Sequence, residues 1–124
     1  MVQSGRLLVL GDLNTMGLQF PKKRAADERV SEAEEVEALG KFGSPVAVGM
    51  ITKSHDETFN NGRLVSNLDH VLSSSNVRFK SLGTRPDGVT FQVRVVGWNQ
   101  LTGTARKNYI DNLSDHSALY VEVV

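Results

Sequence analysis

Apolar residues of this chain fall mostly in short runs between polar, turn-forming stretches, a pattern that predicts several short strands. The first run, residues 7–10, has four apolar side chains in succession and predicts a strand buried on both faces. It leads into Gly11-Asp12-Leu13-Asn14, where Asp12 and Asn14 point the same way if strand geometry persists. A carboxylate at the mouth of a buried strand needs water, a cation or a hydrogen-bond partner, which makes this strand end a candidate site. The alternative is a simple turn, because Gly, Asp and Asn all favour turns.

Two further strands are predicted to carry polar groups. Residues 66–73 predict a short strand in which His70 shares a face with leucines and Asp69 lies on the other face. A carboxylate inside an apolar strand requires a partner, whereas His70 is most simply a core histidine bonded to a carbonyl. Residues 119–123 alternate between apolar and polar side chains and predict a half-buried final strand, with Asp115-His116 at its entrance.

A hairpin forms the predicted scaffold between these strands. Its arms are residues 77–82 and 89–96, and Arg85-Pro86-Asp87-Gly88 is a strong turn sequence. In the second arm, alternate side chains from Val89 to Val95 are expected to face inward. Trp98 follows and is expected in the core, with a base-stacking platform as the alternative.

Helical signals are few. Residues 31–39 begin with a capping box and predict one helix that Gly40 ends. The apolar stripe of this helix is thin, so we expect the helix to lie on the outside of a larger fold. Residues 45–51 are apolar but interrupted by glycine and suit either a strand or a packed loop, and residues 99–112 suit a polar connection.

Composition narrows the protein classes further. The 124 residues suit one domain, residues 1–124, with a moderate core, and 40% hydrophobic with 23% charged residues is ordinary for a globular domain. The absence of cysteine excludes disulfides and thiolate metal sites. No apolar run has membrane-spanning length and the first residues do not form a signal peptide, which leaves the cytoplasm as the default location.

Charge is distributed unevenly along a chain whose formal net charge is zero. Residues 27–37 carry six acids and one base, a net charge of minus five, whereas residues 78–107 carry six bases and one acid, a net charge of plus five. The basic half could meet an anionic substrate, and the simpler alternative is that both regions are solvated faces.

The polar groups at the three strand ends form a chemically coherent set, namely Asp12, Asn14, Asp69, Asp115 and His116. If the first and last strands are antiparallel neighbours, their polar groups lie at one sheet edge. Three carboxylates, an imidazole and a carboxamide suit metal-assisted hydrolysis of a phosphate ester, because carboxylates bind hard cations and orient water. An imidazolium beside a carboxylate can hold charge that grows on phosphate oxygens.

These residues resemble the motifs of a known family. Gly11-Asp12-Leu13-Asn14, Leu68-Asp69-His70-Val71-Leu72 and Ser114-Asp115-His116 stand in the order of three motifs of the endonuclease/exonuclease/phosphatase (DNase I-like) superfamily. The resemblance implies an α+β fold, a two-sheet β-sandwich flanked by helices. It also implies a metal-dependent phosphodiesterase or phosphatase with Mg²⁺, or alternatively Mn²⁺, as its cofactor.

The resemblance also implies a role for each site residue. Asp12 resembles the residue that positions or activates the attacking water, and Asn14 resembles the amide that contacts the scissile phosphate. Asp69 would orient His116, and His116 would stabilise the developing charge of the phosphate. Asp115 would lie at or near the metal.

One departure from the family matters. Family members have an asparagine and a glutamate before the first motif that complete the metal site, but here only residues 1–5 precede the strand and no glutamine is followed by glutamate. The chain therefore looks like the C-terminal half of the domain. We expect it to bind Mg²⁺ weakly, to hydrolyse little alone and to self-associate through exposed strand edges.

Two functional hypotheses remain open from the sequence. The first is a phosphoesterase (nuclease or phosphatase) that needs the missing half, with nucleic acid mildly favoured by the basic residues. The second is a non-catalytic binding or assembly domain that keeps the sandwich. His70 stands where inositol phosphatases place an arginine after the aspartate, which argues against that subclass alone.

Overall fold

The computed structural model describes residues 5–15, 32–41 and 48–124. Within these residues the fold is α+β, with small antiparallel sheets and few helices. The strands are β1 Leu8–Asp12, β2 Val48–Met50, β3 Phe59–Asn60, β4 Val65–Ser66, β5 Asp69–Ser74, β6 Gly83–Thr84, β7 Thr90–Phe91, β8 Arg94–Val96 and β9 Ala118–Tyr120.

The sheet that carries most of the buried strand residues has the order β1-β5-β2, and both of its pairs are antiparallel. All six residues of β5 are buried, because this strand is paired on both sides and covered on both faces. In the register of β1 and β5, Leu10 lies opposite Val71 and Asp12 lies opposite Asp69. The predicted strand over residues 66–73 is confirmed, and it begins at Asp69.

The strand predicted over residues 7–10 forms, but its predicted burial on both faces is wrong. Leu7, Leu8, Val9 and Leu10 are each between 36% and 46% exposed. Among the described residues, β1 pairs with β5 alone and is therefore an edge strand whose outer side is uncovered. The apolar run encodes a surface that the described part of the chain does not bury.

The predicted hairpin forms around the turn at residues 85–88, where β6 pairs with β7, but its first strand lies at residues 83–84 rather than in the predicted arm at residues 77–82. The turn is closed by hydrogen bonds between the main chains of Arg85 and Val89 and of Gly88 and Arg85. Its second arm is shorter than predicted, because the chain leaves β7 and forms β8, which pairs with β9. Val93 and Val95 are fully buried as predicted, whereas Val89 is 46% exposed at the turn.

A second hairpin joins β3 and β4 through Asn60-Asn61-Gly62, and its Asn61 N–H donates to the carbonyl of Leu64. The undecided segment at residues 45–51 contains β2. Trp98 is buried as expected of a core residue, and its Nε1–H donates to the carbonyl of Thr58 at 3.3 Å. The final strand predicted over residues 119–123 forms only in part, because β9 covers Ala118–Tyr120. Leu119 is half-buried between exposed neighbours, and Val123 is 54% exposed.

Two α-helices and one short 3-10 helix complete the described fold, namely α1 Glu32–Lys41, α2 Gly103–Asn112 and the 3-10 helix Trp98–Gln100. Helix α1 confirms the prediction from its second residue onward and continues to Lys41, whereas Ser31 of the capping box lies outside the described residues. The prediction of a polar connection over residues 99–112 is wrong, because α2 forms there. No residue of α2 is buried, so the helix has no apolar stripe that periodicity could detect. Neither ten-residue helix is long and apolar enough to cross a membrane.

Candidate active site

The candidate site begins where β1 and β5 meet at one end of their sheet. Asp12 is the last residue of β1 and Asp69 is the first residue of β5, and the antiparallel register places them directly opposite each other. Antiparallel pairing brings the exit of one strand to the entrance of the next. Two carboxylates that are 57 positions apart in sequence therefore share one sheet end.

His116 reaches this sheet end from the last part of the chain, which runs alongside β3. Asn60 N–H donates to the carbonyl of Asp115, and Ser117 N–H donates to the carbonyl of Thr58, each at 2.8 Å. Phe59 and His116 pair as an isolated antiparallel bridge, and their rings lie 5.2 Å apart between centroids. Main-chain hydrogen bonds on both sides of His116 thus fix where its side chain begins.

The imidazole of His116 lies between the two carboxylates. Its Nδ1–H donates to Asp69 Oδ2 at 2.8 Å, and its Nε2 lies 3.8 Å from Asp12 Oδ2. The side chains become more exposed outward, at 11% for Asp69, 30% for His116 and 46% for Asp12. The buried carboxylate therefore orients the ring, and Nε2 and the Asp12 carboxylate remain accessible to a ligand.

The charges around His116 favour its cationic form. Partial burial lowers the pKa of the imidazole, but the hydrogen bond that His116 donates to Asp69 and the negative charges of Asp69, Asp12 and Asp115 outweigh it. The pKa of His116 is therefore raised above its ordinary value. A raised pKa extends the pH range over which an imidazole is cationic, and the cationic form can stabilise negative charge that develops on a substrate oxygen.

The strands that bring Asp12, Asp69 and His116 together differ from those considered in the sequence analysis. Antiparallel pairing of the first and last strands was the condition under which their polar groups would share one sheet edge, but β1 pairs with β5 and β9 pairs with β8. Asp69 is the link instead, because its main chain is paired with Asp12 and its side chain with His116. The site thus depends on β5 as its central strand.

Asn14 does not continue the strand, so the expectation that it points the same way as Asp12 is not met. Its φ is 53°, in the left-handed region that asparagine tolerates better than most residues. Its N–H donates to Asp12 Oδ1 at 2.8 Å, which forms a turn across the end of β1. The strand and turn interpretations of Gly11-Asp12-Leu13-Asn14 are therefore both right, for successive residues.

Asp115 contributes through its backbone and its charge. Its carbonyl accepts a hydrogen bond from Asn60, and its partly exposed carboxylate helps to raise the pKa of His116. Among residues 5–15, 32–41 and 48–124, no three His, Asp or Glu side chains are arranged to hold a metal ion. The described residues alone therefore do not supply a complete metal centre.

Two supporting residues were not predicted from the sequence. Buried Thr58 accepts hydrogen bonds at Oγ1 from the main-chain N–H groups of Leu68 at 3.2 Å and Asp69 at 3.0 Å. Buried Lys53 donates to the carbonyls of Asp69 at 2.7 Å and Asp56 at 3.0 Å, and to the amide oxygen of Asn67. Both residues lie in a stretch that reads as a polar loop, where no periodicity marks a buried position.

Of the other two histidines, His70 has the role of a core histidine that the sequence suggested. His70 is fully buried, and its Nε2 lies 2.8 Å from Thr15 Oγ1 and 3.1 Å from the carbonyl of Asn67. The Thr15 hydroxyl donates its proton to that same carbonyl, so Nε2 of His70 carries the ring proton and Nδ1 is a buried acceptor that has no partner among the described residues. Burial and the charge of Lys53 lower the pKa of His70 to about 4. His55 is exposed.

Comparisons with protein-family models, curated proteins and solved structures give no match to this chain.

Proposed function

We propose that the chain is the C-terminal half of a DNase I-like sandwich and takes part, in the complete domain, in metal-dependent hydrolysis of phosphoester bonds. The observation that carries the proposal is the contact of His116 with Asp69 at Nδ1 and its approach to Asp12 at Nε2. These residues belong to three separate motifs, and the arrangement orients an imidazolium beside an accessible carboxylate.

The exposed side of β1 supports the sandwich. Four consecutive apolar residues, each more than a third exposed, form a surface that soluble domains rarely leave uncovered. Because successive side chains of a strand point to opposite faces, a second sheet packed on one face would bury two of these four side chains, and a layer on the other face would bury the remaining two, as in a sandwich flanked by helices. The missing N-terminal half is the partner that we propose for this surface.

The proposed roles follow from the geometry of each side chain. Asp12, which is accessible and faces Nε2 of His116, orients and deprotonates the attacking water. The imidazolium of His116 stabilises the charge that grows on the phosphate oxygens, and Asp69 orients the ring by accepting a hydrogen bond from Nδ1–H. Asn14 is a contact for the scissile phosphate.

Mg²⁺, or alternatively Mn²⁺, is the cofactor that we propose for the complete domain, with Asp115 as one of its ligands. A hard cation is bound by carboxylate oxygens, and it neutralises phosphate charge when present. We propose that the remaining ligands come from the missing half, because in the family that the chain resembles an asparagine and a glutamate before the first motif complete the metal site. The isolated chain should then bind Mg²⁺ weakly and show little turnover.

The experiment compares hydrolysis of bis(p-nitrophenyl) phosphate with Mg²⁺ by this chain and by the complete domain. We expect turnover by the complete domain and little turnover by this chain. In the complete domain, Asp12→Asn or His116→Ala should lower the turnover about 100-fold or more. Lys80→Ala is the matched control, because Lys80 is exposed and pairs with Glu122 away from the site. Unchanged turnover in both site variants would reject the proposal and favour the non-catalytic assembly domain, and robust turnover by the chain alone would reject the half-domain.

A further inference from the structure

A cleft of about 610 Å³ lies between the β3–β4 turn and helix α2. This volume is in the range of ligand-binding pockets in proteins. The residues of its wall that matter for binding are Asn60, Asn61, Arg63, Arg106, Lys107 and Asp111.

The two asparagines offer hydrogen-bond donors to this cleft. Asn60 Oδ1 accepts from Gly62 N–H at 2.9 Å, and Asn61 Oδ1 accepts from the N–H groups of Arg63 and Leu64 at 2.9 and 2.8 Å. The turn thus uses both amide oxygens, and within the described residues neither NH₂ group has a protein partner. Donors without acceptors suit a ligand that is rich in acceptor oxygens.

The charges in the cleft favour an anion. Its wall carries three bases and one acid, a net charge of plus two, and the acid, Asp111, is paired with Lys107. The exposed Arg63 guanidinium makes no ion pair in the described part of the chain. Uncompensated arginine beside amide donors is suited to bind phosphate.

Arg106 is held in place at this cleft. Its Nε–H donates to the carbonyls of Leu101 at 2.6 Å and Trp98 at 3.2 Å, and its guanidinium carbon lies 5.6 Å from the centre of the Trp98 ring. A half-buried arginine that is fixed at Nε loses less side-chain freedom when its terminal nitrogens bind a ligand.

The cleft adjoins the candidate active site. Asn60 follows Phe59, whose ring packs on His116, and the Asn60 N–H donates to the carbonyl of Asp115 at 2.8 Å. A ligand that spans both sites would therefore place one anionic group at His116 and another in the cleft. A nucleic acid strand carries a phosphate on every nucleotide, so one strand can supply an anionic group to each of the two places.

We propose that the cleft binds a phosphate of a single-stranded nucleic acid on one side of the scissile phosphate. The inference rests on the proposed function, since it assigns the substrate class of that same site. Phosphate contacts of this type position a strand without reading its sequence, so binding should be weakly dependent on the bases.

The test is fluorescence anisotropy of this chain with a labelled eight-nucleotide oligothymidylate at low salt and without metal. We expect Arg63→Ala with Lys107→Ala to weaken binding about 10-fold and to reduce the slope of log K against log salt by about one to two. Both residues are exposed, so the fold should survive, as an unchanged circular dichroism spectrum would verify. Lys80→Ala removes an exposed base outside the cleft and should change binding less than about 2-fold.

Three results would overturn the cleft assignment: no saturable binding, an equal loss in Lys80→Ala, or equal cleft-dependent binding of heparin, a polyanion without phosphates. A different measurement would reject the proposed function. Hydrolysis of bis(p-nitrophenyl) phosphate by the complete domain needs no flanking phosphate and should be insensitive to the cleft variants. Oligonucleotide binding without such hydrolysis leaves the cleft assigned and rejects the phosphoesterase.

Discussion

Asp12 and Asp69 lie opposite each other across the β1–β5 pair, and the imidazole of His116 bonds to the second and approaches the first. The geometry of the site is therefore set by strand register. A slip of one residue between β1 and β5 would turn one of the two carboxylates to the other face of the sheet. The main-chain pairing that builds the sheet therefore also brings the carboxylates of Asp12 and Asp69 together.

The first prediction concerns the pKa of His116. We expect NMR titration to show it above the ordinary value of 6.5, and Asp69→Asn to lower it, because the hydrogen bond to a charged acceptor is lost while burial remains. A folded-state pKa above the unfolded value means that this stabilisation is complete below pH 6.5 and is lost as pH rises through the folded pKa. Equal pKa values of His116 in the unmodified chain and in Asp69→Asn would contradict the hydrogen bond between His116 and Asp69.

The second prediction concerns His70 and acid stability. Its folded pKa of about 4 is below the unfolded value of 6.5, so between these pH values the unfolded chain binds a proton that the folded chain rejects. Stability should fall by about 3 kcal/mol as pH drops through this window. Urea unfolding at a series of pH values measures the fall, which His70→Leu should flatten and His55→Gln, at an exposed histidine, should leave unchanged. A flat profile in the unmodified chain would refute the assignment.

The third prediction concerns Gly97, which packs against the segment that carries His116. Its φ is 158°, and a Cβ there would lie 2.6 Å from Ser117 Oγ and 3.0 Å from Ser117 Cα. Gly97→Ala should therefore destabilise the chain by about 1–3 kcal/mol and shift the NMR signals of His116. Gly49→Ala has open space around its Cβ and is the control. Equal stability of the two variants would show that the 97–117 contact is not tight.

The fourth prediction concerns the uncovered side of β1. Sedimentation of the isolated chain over a concentration series should show an average mass that rises with concentration, because edge strands with apolar residues associate. Leu10→Lys should reduce this rise, whereas Leu113→Lys, which replaces a leucine that is 74% exposed outside the sheet, should not. A chain that remains monomeric throughout would count against an exposed sandwich face.

The parts of the fold predicted from the sequence are those with a local signal. The alternation around Val93 and Val95, the turn at residues 85–88 and the strand over residues 66–73 each combine a pattern with a matching turn or periodicity. The carboxylate of Asp69 was conspicuous within an apolar strand, and its need for a partner is met by His116.

What the sequence did not reveal depends on contacts between distant residues. Helix α2 has no buried face, so its hydrophobic pattern is absent, and its ends lack the side-chain caps that mark helices. The exposure of β1 depends on what covers it rather than on its own residues. Three of the six bases in residues 78–107 form ion pairs in the described structure, namely Lys80 with Glu122, Arg85 with Asp56 and Lys107 with Asp111, and two of these acids are distant in sequence.

The most direct test of the central claim is the turnover number of the complete domain on a model phosphodiester with Asp69→Asn, with His116→Ala and with both changes. Since Asp69 acts through His116, we expect the first change to lower turnover, the second to lower it by about 100-fold or more, and the double variant to be no worse than His116→Ala alone. Multiplicative losses in the double variant, or unchanged turnover in the single ones, would contradict a catalytic Asp69–His116 pair.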